Sequence, residues 1–215
     1  ISSSFNDLIN TFSNFFQIQS QGILKKRLSV LFLATLLLIG GGHFAYQGLK
    51  IEIKAKVAQI LLQRAWHQTL NSGEYYQPWS GFDGVPILRL HIPQYQIDQI
   101  VLKGTSGQAL AFGPSFHEES FLPQEKKITI ISSHRDSHGI FIKKLQLKEK
   151  IKIQDADNQW HTFIVEEFFI INVLEEKVLM NSNDQRLLLI TCHPFDSIMS
   201  GTPYRYIVSA KKVFI

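Results

Sequence analysis

From Leu28 to Leu49 the chain reads LSVLFLATLLLIGGGHFAYQGL, 22 residues without one Asp, Glu, Lys or Arg. At about 1.5 Å per residue a helix of that length reaches roughly 33 Å, enough to cross the hydrocarbon core of a bilayer. Buried core helices rarely hold 20 apolar residues in succession, so a transmembrane helix is expected over 28–49. Before it, in 1–27, Phe5, Leu8, Ile9, Phe12, Phe15 and Phe16 recur at near-helical spacing, the pattern of a segment lying along a membrane surface. After it, Ile51 to Leu70 predicts an amphipathic helix with Ile53, Val57, Ile60, Leu61 and Ala65 on its apolar side, closed by Asn71-Ser72-Gly73. That helix is expected to be a stalk or membrane-surface helix over 50–74, joining anchor to domain.

From about residue 75 the period changes from helical to extended. Val85 to His91, Ile97 to Lys103, Ile128 to Ser133, Lys150 to Asp155, Trp160 to Glu167, Phe168 to Val173, Leu187 to Cys192 and Tyr204 to Val213 predict about eight strands rich in Ile, Val, Phe and Leu. Turn residues punctuate them at Gly84, Gly104 to Gly107, Gly113-Pro114, Asp155 to Asn158, Asn181 to Asp184 and Ser200 to Pro203. Only Ile140 to Leu147 predicts a helix, with Phe141 and Leu145 facing inward. Many short strands with few helices mean an all-β domain over 75–215, a barrel or a sandwich.

A chain of 215 residues, 45% hydrophobic and 12% aromatic, buries one core but hardly two, and is neither disordered nor repetitive. The formal charge of +4 is unevenly spread: residues 1–70 hold 7 Lys+Arg against 2 Asp+Glu, and residues 71–215 hold 15 against 16. The basic excess thus flanks the apolar run, with Lys25-Lys26-Arg27 before it and Lys50, Lys54 and Lys56 after it. Glu52 offsets only the second cluster, so the first favours an N-terminus on the cytoplasmic side. With 27 residues before the run and no A-x-A-like site after it, an uncleaved anchor is expected. The first residue is Ile, so the natural start is expected to lie further upstream. The domain itself is nearly neutral and has no Lys/Arg stripe interleaved with aromatics, which argues against nucleic acid as a partner.

The single cysteine, Cys192, excludes an intrachain disulfide and a Cys-rich zinc site. It ends the apolar strand LLLITC and is followed by His193-Pro194, so the strand stops there and the thiol sits at its mouth. His134 likewise ends the strand ITIISSH, and Arg205 heads the last strand. Acyl transfer by a thiolate needs a nucleophile, a proton donor for the leaving amine, and a cation or N–H for the oxyanion. Cys192, His134 and Arg205 supply each once. Two other classes stay open. His134, Asp136, His138, Cys192 and His193 suit zinc, although His134-x-x-x-His138 lacks the Glu of H-E-x-x-H. A non-catalytic membrane-anchored adhesion or scaffold domain, its thiol inert, is the other.

The segment Leu188-Leu189-Ile190-Thr191-Cys192 resembles the sortase signature T-L-x-T-C, and Arg205 stands 13 residues later, where sortases carry their arginine. Gln77-Pro78-Trp79, Ala109 to Pro114, His134-Arg135-Asp136, Thr191 to Asp196 and Arg205-Tyr206 are similar to the Gram-negative, marine proteobacterial branch. Three positions depart from the family pattern: Ser133 replaces a glycine before the histidine, His193 a tyrosine after the cysteine, and Leu188 the first threonine of the signature.

The resemblance implies an eight-stranded β-barrel with short helices and a cysteine transpeptidase that needs no cofactor. Cys192 would attack a carbonyl in a sorting motif, His134 would protonate the departing amine, and Arg205 would hold the oxyanion or the substrate backbone. Ala111, Phe112, Gly113 and Pro114, with Thr191, His193 and the stretch Val173 to Arg186, would line the substrate groove. Glu118-Glu119 and Glu175-Glu176 read as solvated loop charge rather than a calcium site. The implied partner is a secreted protein with a C-terminal LPxTG-like sorting signal, often of von Willebrand A type, joined to an amine acceptor the sequence leaves unnamed. The implied location is the inner membrane, the domain on its periplasmic side.

Overall fold

The computed structural model describes residues 2–104, 106–125, 127–175, 185–197 and 201–214, with side chains along the first helix from residue 26 onward, residue 28 excepted. Two compact units divide the chain, 1–54 and 55–215. The unit 1–54 is helical and holds the greater part of α1 (Ser2–Ser72). The helix runs through Gly40-Gly41-Gly42 without a break. Among the described residues one helix is long and apolar enough to cross a membrane, and Leu33, Leu36, Leu37 and Ile39 on it are all exposed.

The unit 55–215 is built on eight strands: β1 (Val85–Ile92), β2 (Ile97–Lys103), β3 (Ser115–Phe116), β4 (Ile128–Ser133), β5 (Lys150–Gln154), β6 (Trp160–Asn172), β7 (Arg186–Cys192) and β8 (Tyr204–Val213). They close into a barrel in the order β1-β2-β3-β4-β7-β8-β6-β5, so the sandwich alternative falls. All neighbours are antiparallel except β2–β3 and β4–β7. Period-2 alternation sends one set of side chains inward. Leu88, Leu90, Val101, Ile131, Ile153, Phe163, Leu187, Leu189, Val208 and Ala210 thereby fill the barrel.

Six of the strands match the sequence pattern to within a residue at either end. The two expected over Trp160 to Glu167 and Phe168 to Val173 are one strand, β6, because a bulge between Val165 and Glu167 absorbs the shift in alternation that looked like a boundary. The eighth strand is β3, whose two residues are too short to show any period. The expected helix over Ile140 to Leu147 is a 3-10 turn, Ile140–Lys144, with Phe141 and Leu145 buried as foreseen. A helix the sequence did not announce, α2 (Gly107–Phe112), starts where Ser106 accepts the Ala109 N–H at 3.0 Å. Two nearby glycines, Gly104 and Gly107, had masked that cap.

The expected apolar side of the second half of α1 is wrong by part of a turn. Ile53, Val57 and Ile60 are exposed and Leu61 is half-buried; of the expected face Ala65 alone is buried, together with Ala58, Leu62, Trp66 and Thr69. Leu62 and Trp66 pack with Phe82, Ala109 and the outward-facing Ile100 and Leu102 of β2. The end of α1 is therefore walled into the domain instead of standing free of it as a stalk. Trp66, the largest side chain on this face, is buried to 1% exposure and anchors it against the domain.

Candidate active site

Three adjacent strands, β4, β7 and β8, bring the candidate residues together. In the parallel pair, Ile130 faces Leu188 and Ser133 faces Thr191; in the antiparallel pair, Cys192 faces Arg205. Ile128, Ile130, Leu188 and Ile207 form a second apolar cluster on the outer face of these strands, distinct from the barrel interior. Stepping by two along each strand from that cluster reaches His134, Cys192 and Arg205. All three therefore lie at one end of one face, with the thiol between histidine and arginine. Cys192 is half-buried, Arg205 half-buried and His134 exposed.

Thr191, expected to touch substrate, is instead buried. Its hydroxyl donates to the Ser133 carbonyl at 2.8 Å and locks the ends of β4 and β7 side by side. Arg205 donates through Nη1 to the carbonyls of Thr202 and Tyr204, while Nε and Nη2 have no protein partner among the described residues. Those two donors are the ones left for a substrate oxygen. His193 turns away from the thiol. Its ring stacks on Tyr206, 6.2 Å between centroids, and meets Phe195 edge-on at 6.0 Å. Its backbone closes the loop, with His193 N–H donating to the Tyr204 carbonyl at 3.0 Å and the Thr202 hydroxyl to the His193 carbonyl at 2.6 Å. Burial raises the Tyr206 phenol above its ordinary value.

The turn carrying His134 folds back on itself, with the N–H groups of Ser137 and Gly139 donating to the His134 carbonyl at 3.4 and 2.8 Å. Ser133, which stands where the family pattern has glycine, is 7% exposed, and its Oγ occupies the space beside Gly139. A Cβ on residue 139 would lie 2.4 Å from that oxygen. Gly139 is thus the residue that makes room for Ser133. His138 in the same turn is held below the ordinary histidine value, chiefly by burial and also by the charge of His134, against a hydrogen bond with the Ala111 backbone that favours protonation.

The segment Ala111 to Pro114 divides between two tasks. Ala111, Phe112 and His138, with Ala55, Gln59 and Ile60, line an open, apolar cavity of about 530 Å³. Phe112 also packs edge-on against Trp79 and Phe82, and its carbonyl accepts from Gln59 Nε2 at 2.8 Å. Gly113 and Pro114 are buried: a Cβ on Gly113 would lie 2.8 Å from the Ile100 carbonyl, and the Pro114 carbonyl accepts the Leu102 N–H at 2.8 Å. Those two build the β2–β3 seam and do not present a side chain to a groove.

The expected groove stretch Val173 to Arg186 falls mostly outside the described residues, as do the turns over Asn181 to Asp184 and at Ser200, and Glu176. Among the described residues no three of His, Cys, Asp and Glu converge as a metal-binding group. Gln59 and Gly139, both structural partners of the site, were not singled out from the sequence. Neither carries a local signal, since each acts through a partner remote in sequence or hidden in a turn.

A family model for the Sortase domain matches residues 90–213. Among curated proteins, Sortase D of Bacillus subtilis (strain 168) is 24% identical over 124 residues, covering 58% of this chain and 62% of that protein, so the chain spans less than two thirds of that relative. Among solved structures, a Clostridium perfringens Sortase D5 transpeptidase is similar with a TM-score of 0.57 and 20% identity, over 74% of this chain and 99% of the other. Clostridium perfringens sortase C, solved with the C-terminal cell wall sorting motif, is similar with a TM-score of 0.51 and 16% identity, over 80% and 97%. At these identities the likeness of structures is a likeness of fold.

Proposed function

The chain belongs to the sortase family, and on that premise we propose that it is a membrane-anchored cysteine transpeptidase acting through a thioacyl-enzyme on Cys192. The observation that carries this reading is the outward row on β4, β7 and β8, in which Cys192 pairs with Arg205 across the ladder and His134 follows Ser133, the partner of Thr191. The ladder between β7 and β8 holds nucleophile and guanidinium opposite each other, and the acid stands one residue past the end of β4.

In the proposed reaction the Cys192 thiolate adds to a peptide carbonyl in the sorting motif of a secreted protein. The oxyanion forms within reach of Arg205 Nε and Nη2. His134, as imidazolium, gives its proton to the amide nitrogen as the C–N bond breaks, and the amine product leaves. A thioester remains on Cys192. An acceptor amine then attacks that thioester, loses its proton to the neutral His134, and expels the thiolate, so the enzyme returns to its starting state with one amide broken and one made.

Residues 28–49 would hold the enzyme in the inner membrane with the domain on the periplasmic side, as the Lys25-Lys26-Arg27 cluster and family membership favour. Confining enzyme and membrane-bound substrate to one plane raises their effective concentration. The test is mass spectrometry of the protein incubated with an LPxTG-like peptide and a small amine. An acyl mass on the fragment containing Cys192, absent from Cys192→Ala, is expected; turnover that survives in Cys192→Ala overturns the reading.

A further inference from the structure

Arg135 follows His134 directly, yet it is 8% exposed, an unusual place for a guanidinium unless its donors are matched. Nη1 donates to the Pro194 carbonyl at 2.8 Å and Nη2 to the Ser197 carbonyl at 2.6 Å, while Nε lies 3.3 Å from the Asp136 carboxylate. Pro194 and Ser197 belong to the loop that leaves β7 immediately after Cys192. That loop is itself curled, with the Ser197 N–H directed at the Pro194 carbonyl at 3.4 Å. Both acceptors therefore converge on one planar fork.

The ladder between β4 and β7 ends at Ser133 and Thr191. One residue further on, His134 and Cys192 have left the regular backbone pairing that would fix their separation. The next side chain on the histidine segment reaches across to the chain that continues from the cysteine. We infer that Arg135 is a positioning residue that sets the distance between the acid and the nucleophile. It acts by binding the thiol's own loop through two charge-assisted hydrogen bonds, and it touches neither substrate nor reacting atom. This deepens the proposed function and rests on it for the roles of His134 and Cys192.

The geometry explains why arginine is needed. A guanidinium presents parallel donors in a rigid plane, so two carbonyls three residues apart are held at once and at a fixed angle. An ammonium is a compact point charge on a flexible stem, and it keeps the positive charge without the fork. Substitution by lysine thus separates charge from geometry.

The test uses Arg135→Lys and Arg135→Gln in the full chain, with cooperative thermal unfolding as the check that each variant is folded. Two readouts are taken: kcat and KM with an LPxTG-like peptide, and the rate of alkylation of Cys192 by iodoacetamide with no peptide present. Since Cys192 is the sole cysteine, labelling has one source. A displacement of about an ångström between acid and nucleophile costs on the order of 10²-fold in turnover. Both variants should lose kcat on that scale with KM nearly unchanged, both should alkylate at an altered rate, and lysine should not restore what glutamine loses. Wild-type kcat in Arg135→Lys overturns the inference, as does a rise in KM with kcat intact, which would mean a substrate contact. Should the wild-type protein fail to turn over the peptide, the proposed function falls, and alkylation alone decides the positioning role: rates equal to wild type in both variants refute it. If Arg135→Gln does not fold, Arg135→Lys, which keeps the buried cation, decides by the same readouts.

Discussion

Replacing Gly139 by alanine tests the packing of the histidine turn without touching a reactive group. Gly139 has φ −100° and ψ 1°, a conformation open to any L-residue, so the substitution carries no backbone strain. Its cost is steric. The new methyl would lie 2.4 Å from Ser133 Oγ, 2.8 Å from the His134 carbonyl oxygen and 3.2 Å from Ser133 Cβ. The hydroxyl can rotate away, but Ser133 Cβ is fixed by the β4 ladder, and the His134 carbonyl is held by the N–H groups of Ser137 and Gly139. Relief therefore requires the turn to open by several tenths of an ångström at His134 itself. Overpacking of this kind costs about 1–3 kcal/mol. On the proposed role of His134 turnover should also fall, by several-fold, since a misplacement of a full ångström costs on the order of 10²-fold. Urea unfolding gives the first quantity and peptide turnover the second. The double variant Ser133→Gly, Gly139→Ala removes the 2.4 and 3.2 Å contacts and leaves the 2.8 Å one, so it should recover part of the loss and be non-additive by more than about 0.5 kcal/mol. Wild-type turnover in Gly139→Ala with stability changed by less than about 0.5 kcal/mol, or strict additivity in the double variant, would refute the reasoning.

Arg205→Ala should lower kcat by about 10²-fold, as for loss of an oxyanion donor, and Arg205→Lys should recover little of it because the free Nε and Nη2 pair is not reproduced; a lysine variant with wild-type kcat contradicts this. Leu62→Ala, at a fully buried position on α1, should destabilise the domain by about 2–5 kcal/mol in urea unfolding, whereas a free stalk would show almost none. His138 binds a proton less readily in the folded state than in the unfolded chain, so its contribution to stability is present above pH 6.5 and is lost as pH falls through its lowered folded value. His138→Gln should therefore flatten the decline in the urea midpoint below pH 6.5, and a decline parallel to wild type counts against it.

Cys192, His134 and Arg205 were legible because each stands where an apolar, alternating run meets a stop. Alternation also told which residues share a face: Cys192 faces Arg205 in the β7–β8 register, and His134 follows Ser133 at the end of β4, while their catalytic roles belong to the proposal. Arg135 shows the limit. Its neighbours in sequence mark a functional segment, but its burial depends on carbonyls 59 and 62 residues away, and backbone acceptors leave no residue-type signal. The face of α1 was missed for a related reason. Periodicity ranks Ile53, Val57 and Ile60 by hydrophobicity, while the domain offered a niche shaped for Trp66 beside Ala58 and Ala65. Strand β6 was divided because an acidic pair, Glu166-Glu167, interrupted the alternation at a bulge that keeps the ladder intact.

The parallel pairing of β4 with β7 bears on when the thiol gains its partner. Ser133 and Thr191 are 58 positions apart, and β5 and β6 lie between them in the chain. Closing so long a segment comes at an entropic cost that only the finished ladder offsets, so this pairing is expected to form late in folding. Until β7 docks, Cys192 belongs to a strand end with no imidazole beside it and no guanidinium across from it. On the proposed mechanism, completion of the barrel would bring nucleophile, acid and guanidinium together in one step, and an unfinished chain would have no competence for acyl transfer.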